Sequence, residues 1–198
     1  MSGTPAVEFF FGAMSPYSWF AAERIEGLLP EAVWRPVLAG ALFKARGRVS
    51  WGLTAEREAK LADCEARASA HGLGPIRWPD PWPTRDLLVA RAMVLADRQG
   101  RLRPFALAAM RSAFRDGVDL GELDAVLQAG AAAGLDPGAV AAAVEDPAIK
   151  DALRAANQHA LDRGVHGVPT VVIGDRVFWG DDHLEQAAAV SSRPPPAI

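Results

Sequence analysis

Residues 14 to 20 read Met-Ser-Pro-Tyr-Ser-Trp-Phe and follow the apolar run 6–13, Ala-Val-Glu-Phe-Phe-Phe-Gly-Ala. Ser15 and Ser18 stand three apart, where a redox protein would carry Cys-x-x-Cys. A hydroxyl in that place can donate a hydrogen bond to a sulfur and cannot form a disulfide with it. The same residues also make an ordinary helix start, with Ser15 at the N-cap and Pro16 at the first helical position. A second stretch, residues 164–186, places Val168-Pro169 at the entry to an apolar run and Asp181-Asp182 before a last helical segment. A cis bond at Pro169 would turn the preceding backbone N–H and C=O outward, free to pair with an extended peptide. A plain loop-to-strand junction is the other reading. Asp181 and Asp182 read equally as an acidic helix start.

These residues need elements to hold them. Val7–Phe11 is short, aromatic and followed by Gly12, which predicts a buried strand. Trp19, Phe20, Ile25, Leu28 and Leu29 recur at helical spacing after Pro16, and Pro30 ends that helix. Residues 32–38, Ala-Val-Trp-Arg-Pro-Val-Leu, return to strand-like content, with Pro36 at an edge or strand end. From about 39 to 162 the pattern predicts helices only. Thr54 is placed to cap the first and Gly72 to end it. Asp136-Pro137 and Asp146-Pro147 each pair an N-cap acid with proline at the first helical position. Residues 73–83 are proline-rich and predict a long ordered loop. Thr170–Ile173 and Arg176–Trp179 predict a hairpin whose Gly174-Asp175 turn suits type II′. A short helix from Asp181 to Val190 closes the pattern.

Strand, helix, strand at one end and hairpin, helix at the other imply one α/β domain built from both termini. The order is that of thioredoxin, with a helical insertion before the third helix. The expected organisation is a thioredoxin-like domain from 1–40 and 163–190, an all-helical insertion from 41–162, and a low-complexity tail at 191–198.

The chain has 198 residues, 50% of them hydrophobic, which is enough for one sizeable core. A net charge of −3 provides no basic field for nucleic acid or anionic membrane. No apolar stretch approaches a membrane span or a secretory signal. The single cysteine, Cys64, excludes an internal disulfide and any dithiol cycle. A cytoplasmic location is expected. His71, His159, His166 and His183 show no metal-ligand spacing, so no metal site is expected. Cys64 sits mid-helix and reads as a buried thiol, and His166 as a loop residue. Trp51, Trp78 and Trp82 read either as core or as the wall of an aromatic pocket.

Taken together, 15–28, 34–47 and 146–184 resemble the DsbA-like family that includes 2-hydroxychromene-2-carboxylate isomerase and the kappa-class glutathione transferases. The carrying motifs are Ser-Pro-Tyr-Ser, Gly-Val-Pro-Thr and Phe-Trp-Gly-x-Asp, in that order. The closer similarity is to the isomerase branch, through Arg-Pro-Val-Leu-Ala-Gly-Ala-Leu-Phe-Lys-Ala and Val-Phe-Trp-Gly-Asp-Asp. The resemblance implies glutathione as cofactor, with Ser15 donating to its sulfur. It implies that the Val168 backbone, before Pro169, pairs with the cysteinyl unit, and that Asp181 and Asp182 receive the γ-glutamyl end. Lys44 and Arg48 are candidates for carboxylates of glutathione or substrate, or else a solvated cationic face. The implied activity is isomerisation of an aromatic-degradation intermediate by reversible thiolate addition, glutathione being regenerated. A kappa-type transferase or peroxidase and a non-catalytic binding module are the alternatives. A small aromatic substrate and a homodimer are expected partners. The chain departs from the family pattern at Gly12, Arg48, Arg85 and His183, which are expected around the substrate pocket.

Overall fold

The computed structural model describes residues 6–192. β1 (Val7–Phe11) is the strand on which the sheet is built. It pairs in parallel with β2 (Val33–Pro36) and antiparallel with β3 (Thr170–Ile173), which pairs antiparallel with β4 (Arg176–Trp179), giving the order β2-β1-β3-β4. All five β1 residues are buried because both faces of the strand are covered. Alternation then sorts them. Val7, Phe9 and Phe11 join the main core, while Phe10 packs in a second cluster with Val37, Leu42, Ala160, Val165, Val168 and Val172.

The helices between β1 and β2 and between β2 and β3 are α1 (Pro16–Leu28), α2 (Ala39–Ala45), α3 (Arg57–Ala70), α4 (Leu87–Arg98), α5 (Leu102–Asp116), α6 (Leu123–Ala132), α7 (Pro137–Ala143) and α8 (Pro147–Asp162), and α9 (Leu184–Ser191) follows β4. Trp19 of α1 stacks on Phe114 of α5, with ring centroids 5.7 Å apart, so the helical insertion shares one continuous apolar core with the sheet. Among the described residues no helix is long and apolar enough to cross a membrane.

The expected caps at Asp136 and Asp146 are present, accepting from the N–H groups of Ala139 (2.7 Å) and Ala148 (2.8 Å). Gly72 follows α3 with φ +67°. Gly174 has φ +57° while Asp175 keeps a negative φ, as a type II′ turn requires. Two expectations need correction. Thr54 does not cap α3, because its hydroxyl accepts from the Glu56 N–H at 3.3 Å and closes a turn before the helix begins at Arg57. The last helix does not begin at Asp181. Asp181–His183 form a 3-10 turn and α9 starts at Leu184, with no side-chain cap on either. Of the tail 191–198, Ser191 ends α9 and 193–198 lie outside the described residues.

Glu8 is the one charged residue on β1. Alternation drives it to the same face as Phe10, where it is 6% exposed. Arg35 Nε (3.0 Å), His159 Nε2 (2.8 Å) and Arg163 Nε (2.9 Å) surround it. Burial alone would raise its pKa, but bonds from His159, Arg35 and Arg163 outweigh burial and hold the carboxyl below its usual range. A depressed folded value stabilises the protein above the unfolded pKa, and that contribution fades as pH falls through the folded value. Glu8→Gln is therefore expected to cost about 1–3 kcal/mol at neutral pH. The difference should shrink in acid, as urea melts of the two proteins at neutral and acid pH would show.

Candidate active site

Ser15 has extended backbone, φ −99° and ψ 118°, and its hydroxyl accepts from the Ser18 N–H at 3.2 Å. It is thus the N-cap that the Ser-Pro pair predicts. The same hydroxyl reaches the Val168 carbonyl at 3.5 Å, across 153 residues of chain. Ser18 has a different task. It is fully buried, and its hydroxyl accepts from the Gly12 N–H at 3.3 Å. Only Ser15 of the two faces the cavity.

Val168-Pro169 is cis. The Pro169 carbonyl accepts from the Gly180 N–H at 2.9 Å, and Thr170 Oγ1 donates to the Gly167 carbonyl at 2.8 Å. Among the described residues, neither the N–H nor the C=O of Val168 has a backbone partner. A strand-like edge one residue long is thereby left beside Ser15. Gly167 carries no side chain because the Trp179 indole lies against it, Nε1 being 2.9 Å from where a Cβ would stand.

One cavity of about 960 Å³ joins these groups. Every residue singled out above for a site lines it: Ser15, Lys44, Arg48, Val168, Pro169, Asp181 and Asp182. So do Arg85 and His183, whereas Gly12 sits behind Val168, with its Cβ position 3.6 Å from Val168 Cγ2. Exposed His166 does not reach the cavity wall.

The two aspartates differ sharply. Asp181 is 1% exposed, and Arg67 Nη1 donates to its Oδ1 at 2.9 Å. Its Oδ2 lies 3.6 Å from His71 Nε2 and has no hydrogen-bond partner. Burial raises the Asp181 pKa, with Arg67 pulling the other way. Asp182 is the open one, within 3.1 Å of His183 Nδ1 and 3.7 Å of Arg67 Nη1. Lys44 and Arg48 are exposed on the rim. The Arg48 guanidinium lies 5.4 Å from the Trp179 ring centroid and 5.9 Å from that of Phe43, so it stacks between aromatics.

The opposite stretch of chain supplies an aromatic wall. Trp51 and Trp82 line the cavity with centroids 4.6 Å apart. Trp78 backs Trp82 at 4.8 Å without lining it. Glu65 on α3 holds this 73–86 loop, accepting from the Ile76 N–H (3.1 Å) and Trp78 Nε1 (3.0 Å). Gly52 is needed because a Cβ there would stand 2.6 Å from Trp82 Cζ3.

Sequence reasoning did not single out Tyr17, Arg67 and Asp86 as site residues, yet all three line the cavity. The Tyr17 hydroxyl donates to Asp63 Oδ2 at 2.9 Å, and Arg67 lies over its ring at 5.3 Å. Burial and the nearby Cys64 and Asp63 push the Tyr17 pKa upward, so the phenol stays protonated. Tyr17 stands inside the Ser-Pro-Tyr-Ser motif, and Asp63 and Arg67 are a visible i,i+4 pair. Their link to Asp181 carried no local signal. Cys64 is fully buried, and burial pushes its thiol up to about 12, which leaves it unreactive.

The arrangement offers a hydroxyl donor at a helix N-terminus, an unpaired backbone edge, an exposed carboxylate, rim cations and an aromatic pocket. Residues 6–190 match the DSBA-like thioredoxin domain. The chain is 25% identical to a 2-hydroxychromene-2-carboxylate isomerase of Sphingobium xenophagum over 92% of this chain and 95% of that one. It is 23% identical to a protein of the same name from Pseudomonas putida, covering 90% of each. In three dimensions it resembles a solved 2-hydroxychromene-2-carboxylate isomerase with a TM-score of 0.80, 19% identity and 93% of both chains covered. A probable DsbA oxidoreductase from Streptomyces coelicolor superposes with a TM-score of 0.70 at 24% identity, over 98% of this chain and 93% of the other.

Proposed function

Since the chain belongs to the DSBA-like thioredoxin domain family, we propose that it is a glutathione-dependent isomerase acting on an aromatic 2-hydroxychromene-2-carboxylate-type compound. The observation that carries this reading is the hydrogen bond at 3.5 Å from the Ser15 hydroxyl to the Val168 carbonyl, which has no backbone partner among the described residues, beside cis-Pro169. It sets one side-chain donor and one free backbone edge at the same end of an aromatic, cation-rimmed cavity. The curated relatives named as isomerases support the reaction class.

The residues present fit glutathione. The Val168 N–H and C=O suit an extended cysteinyl unit. Asp182 suits the γ-glutamyl ammonium, with buried Asp181 fixing the turn beneath it. Lys44 and Arg48 suit carboxylates. Glutathione, when bound, supplies the nucleophilic thiol. The chain's part is to favour that thiol's ionised form. The α1 terminus presents partial positive charge and the Tyr17 N–H, which has no partner among the described residues, and Ser15 adds a hydroxyl donor. Lowering a thiol pKa from about 8.5 by two units takes about 2.7 kcal/mol of preference for thiolate. One hydroxyl bond to a charged acceptor plus a helix terminus is of that size. Trp51 and Trp82 exclude water and stack on a flat substrate, which strengthens the electrostatics around it.

Calorimetry with reduced glutathione, followed by turnover of 2-hydroxychromene-2-carboxylate, tests the reading. Binding and glutathione-dependent isomerisation are the expected result. An absence of binding at millimolar glutathione overturns it, and conjugation of an aryl halide without isomerisation points instead to a transferase.

A further inference from the structure

Asp86 is a carboxyl group of the cavity with no side-chain partner among the described residues. It immediately precedes α4, yet its side chain makes no cap bond, unlike Asp136 and Asp146. It bonds to no other residue's side chain among the described residues, and it lines the cavity. The other charged groups lining the cavity are Lys44, Arg48, Glu56, Lys60, Arg67, Arg85, Asp181, Asp182 and His183. None is bonded to Asp86. An unsatisfied polar atom lies four residues earlier, among the described residues. Trp82 is 7% exposed and its Nε1–H has no partner. Glu65 pins the earlier part of the loop that carries both, at Ile76 and Trp78.

We propose that Asp86 is the proton-transfer residue of this cavity for substrates that are cyclic hemiketals fused to an aromatic ring. This rests on the isomerase reading and adds a group to it. The Asp86 carboxylate takes the proton from the hemiketal hydroxyl. The O–H electron pair becomes the second bond of the new C=O, and the bond from that carbon to the ring oxygen breaks. Its electrons stay on the ring oxygen, which takes the proton back from Asp86 as a phenol. Nothing is oxidised or reduced, and the carboxylate is regenerated. Exposed Arg85, whose guanidinium has no partner among the described residues, holds the substrate carboxylate next to it.

The environment suits the task. Burial raises the Asp86 pKa to about 6, with a bond from its own backbone opposing the rise. A base with that value is mostly ionised at neutral pH and still readily protonated, which favours two-way transfer.

Two measurements test this. In the first, chromone-2-carboxylate, a flat anionic analogue without the hydroxyl, is titrated by tryptophan fluorescence in the absence of glutathione. Its Kd should rise at least threefold from pH 5 to pH 7 as Asp86 ionises, and stay flat in Asp86→Asn. In the second, kcat of the native protein should show an acid limb near pH 6. Asp86→Asn should lower kcat tenfold or more and remove the limb, while glutathione affinity by calorimetry stays within twofold. Asp86→Glu should restore the limb, and His183→Gln should leave it in place. Native turnover and probe binding that survive Asp86→Asn with unchanged pH dependence overturn the role of Asp86 alone. Native protein that neither binds glutathione nor isomerises overturns the isomerase reading, and the proton-transfer role with it.

Discussion

Ser15→Ala is expected to lower glutathione-dependent turnover by roughly 10²–10³-fold, the usual cost of deleting one preorganised donor to a developing or held anion. The bound thiol should then ionise at higher pH, visible as lost ultraviolet absorption of the thiolate at neutral pH. The substitution also removes the α1 cap, since the same hydroxyl accepts from the Ser18 N–H. That second loss is expected to cost about 1 kcal/mol of stability. The two effects separate through other substitutions. Ser15→Thr keeps both the cap and the donor and should retain thiolate formation. Ser15→Asp keeps the cap but sets a negative charge against the sulfur, so it should be stable and inactive. Alanine protein with native thiolate absorption and native turnover would refute the role given to Ser15.

Arg67→Met should be the most destabilising change at the site. Asp181 is almost wholly buried, one oxygen rests on Arg67 and the other has no hydrogen-bond partner. Removing the guanidinium leaves a buried carboxylate without a bonded cation, which costs about 3–5 kcal/mol. The lower end is expected, because 30% of the Arg67 side chain is open to water. The pH dependence follows from the sign of the Asp181 shift. Its folded pKa is raised, so its charge costs stability at neutral and alkaline pH, and protonation relieves that cost as pH falls. Losing Arg67 raises it further. The deficit of Arg67→Met should therefore be largest above neutrality and smallest in mild acid. In an Asp181→Asn background, Arg67→Met should cost far less, and a double-mutant cycle in urea would read that coupling. Equal deficits in both backgrounds would refute the pairing.

The strands and the insertion were legible because each rests on local chemistry, whereas Ser15 and Pro169 were joined into one site only by the resemblance to the DsbA-like family, since alone they read as a helix cap and a loop-to-strand junction. Phe9 and Phe11 alternate with Glu8 and Phe10. Ser15-Pro16 caps a helix, and Gly174 permits a positive φ in a two-residue turn. Trp51 and Trp82 could be named as a pocket wall or as core, and the choice between them depended on where the 73–86 loop lies. That loop is held by Glu65, whose partners Ile76 and Trp78 follow it by 11 and 13 residues without any periodic signal. Thr54 misled because a hydroxyl two residues before Glu56 satisfies a turn as well as a helix. Asp181-Asp182 misled for a similar reason. Acids before a helix resemble caps, but Asp181 is claimed by Arg67 from 114 residues away. Asp86 was not singled out in the sequence, because an acid just before a helix carries no signal that its side chain leaves the cap unmade.

The cavity wall comes from two sources. Its Ser15 end is built by the β1–α1 junction and by residues 167–169, all braced on the sheet. Its aromatic end is built by 47–56 and 82–86, braced on α3 and α5. No hydrogen bond among the described residues joins Trp51, Trp82 or Arg85 to Ser15, Val168 or Pro169. Exchanging 47–56 and 82–86 between homologues should consequently transfer substrate preference while leaving cofactor affinity behind. On the proposed function, the two ends would divide the labour, one fixed to hold the reagent and the other free to be exchanged for a new substrate.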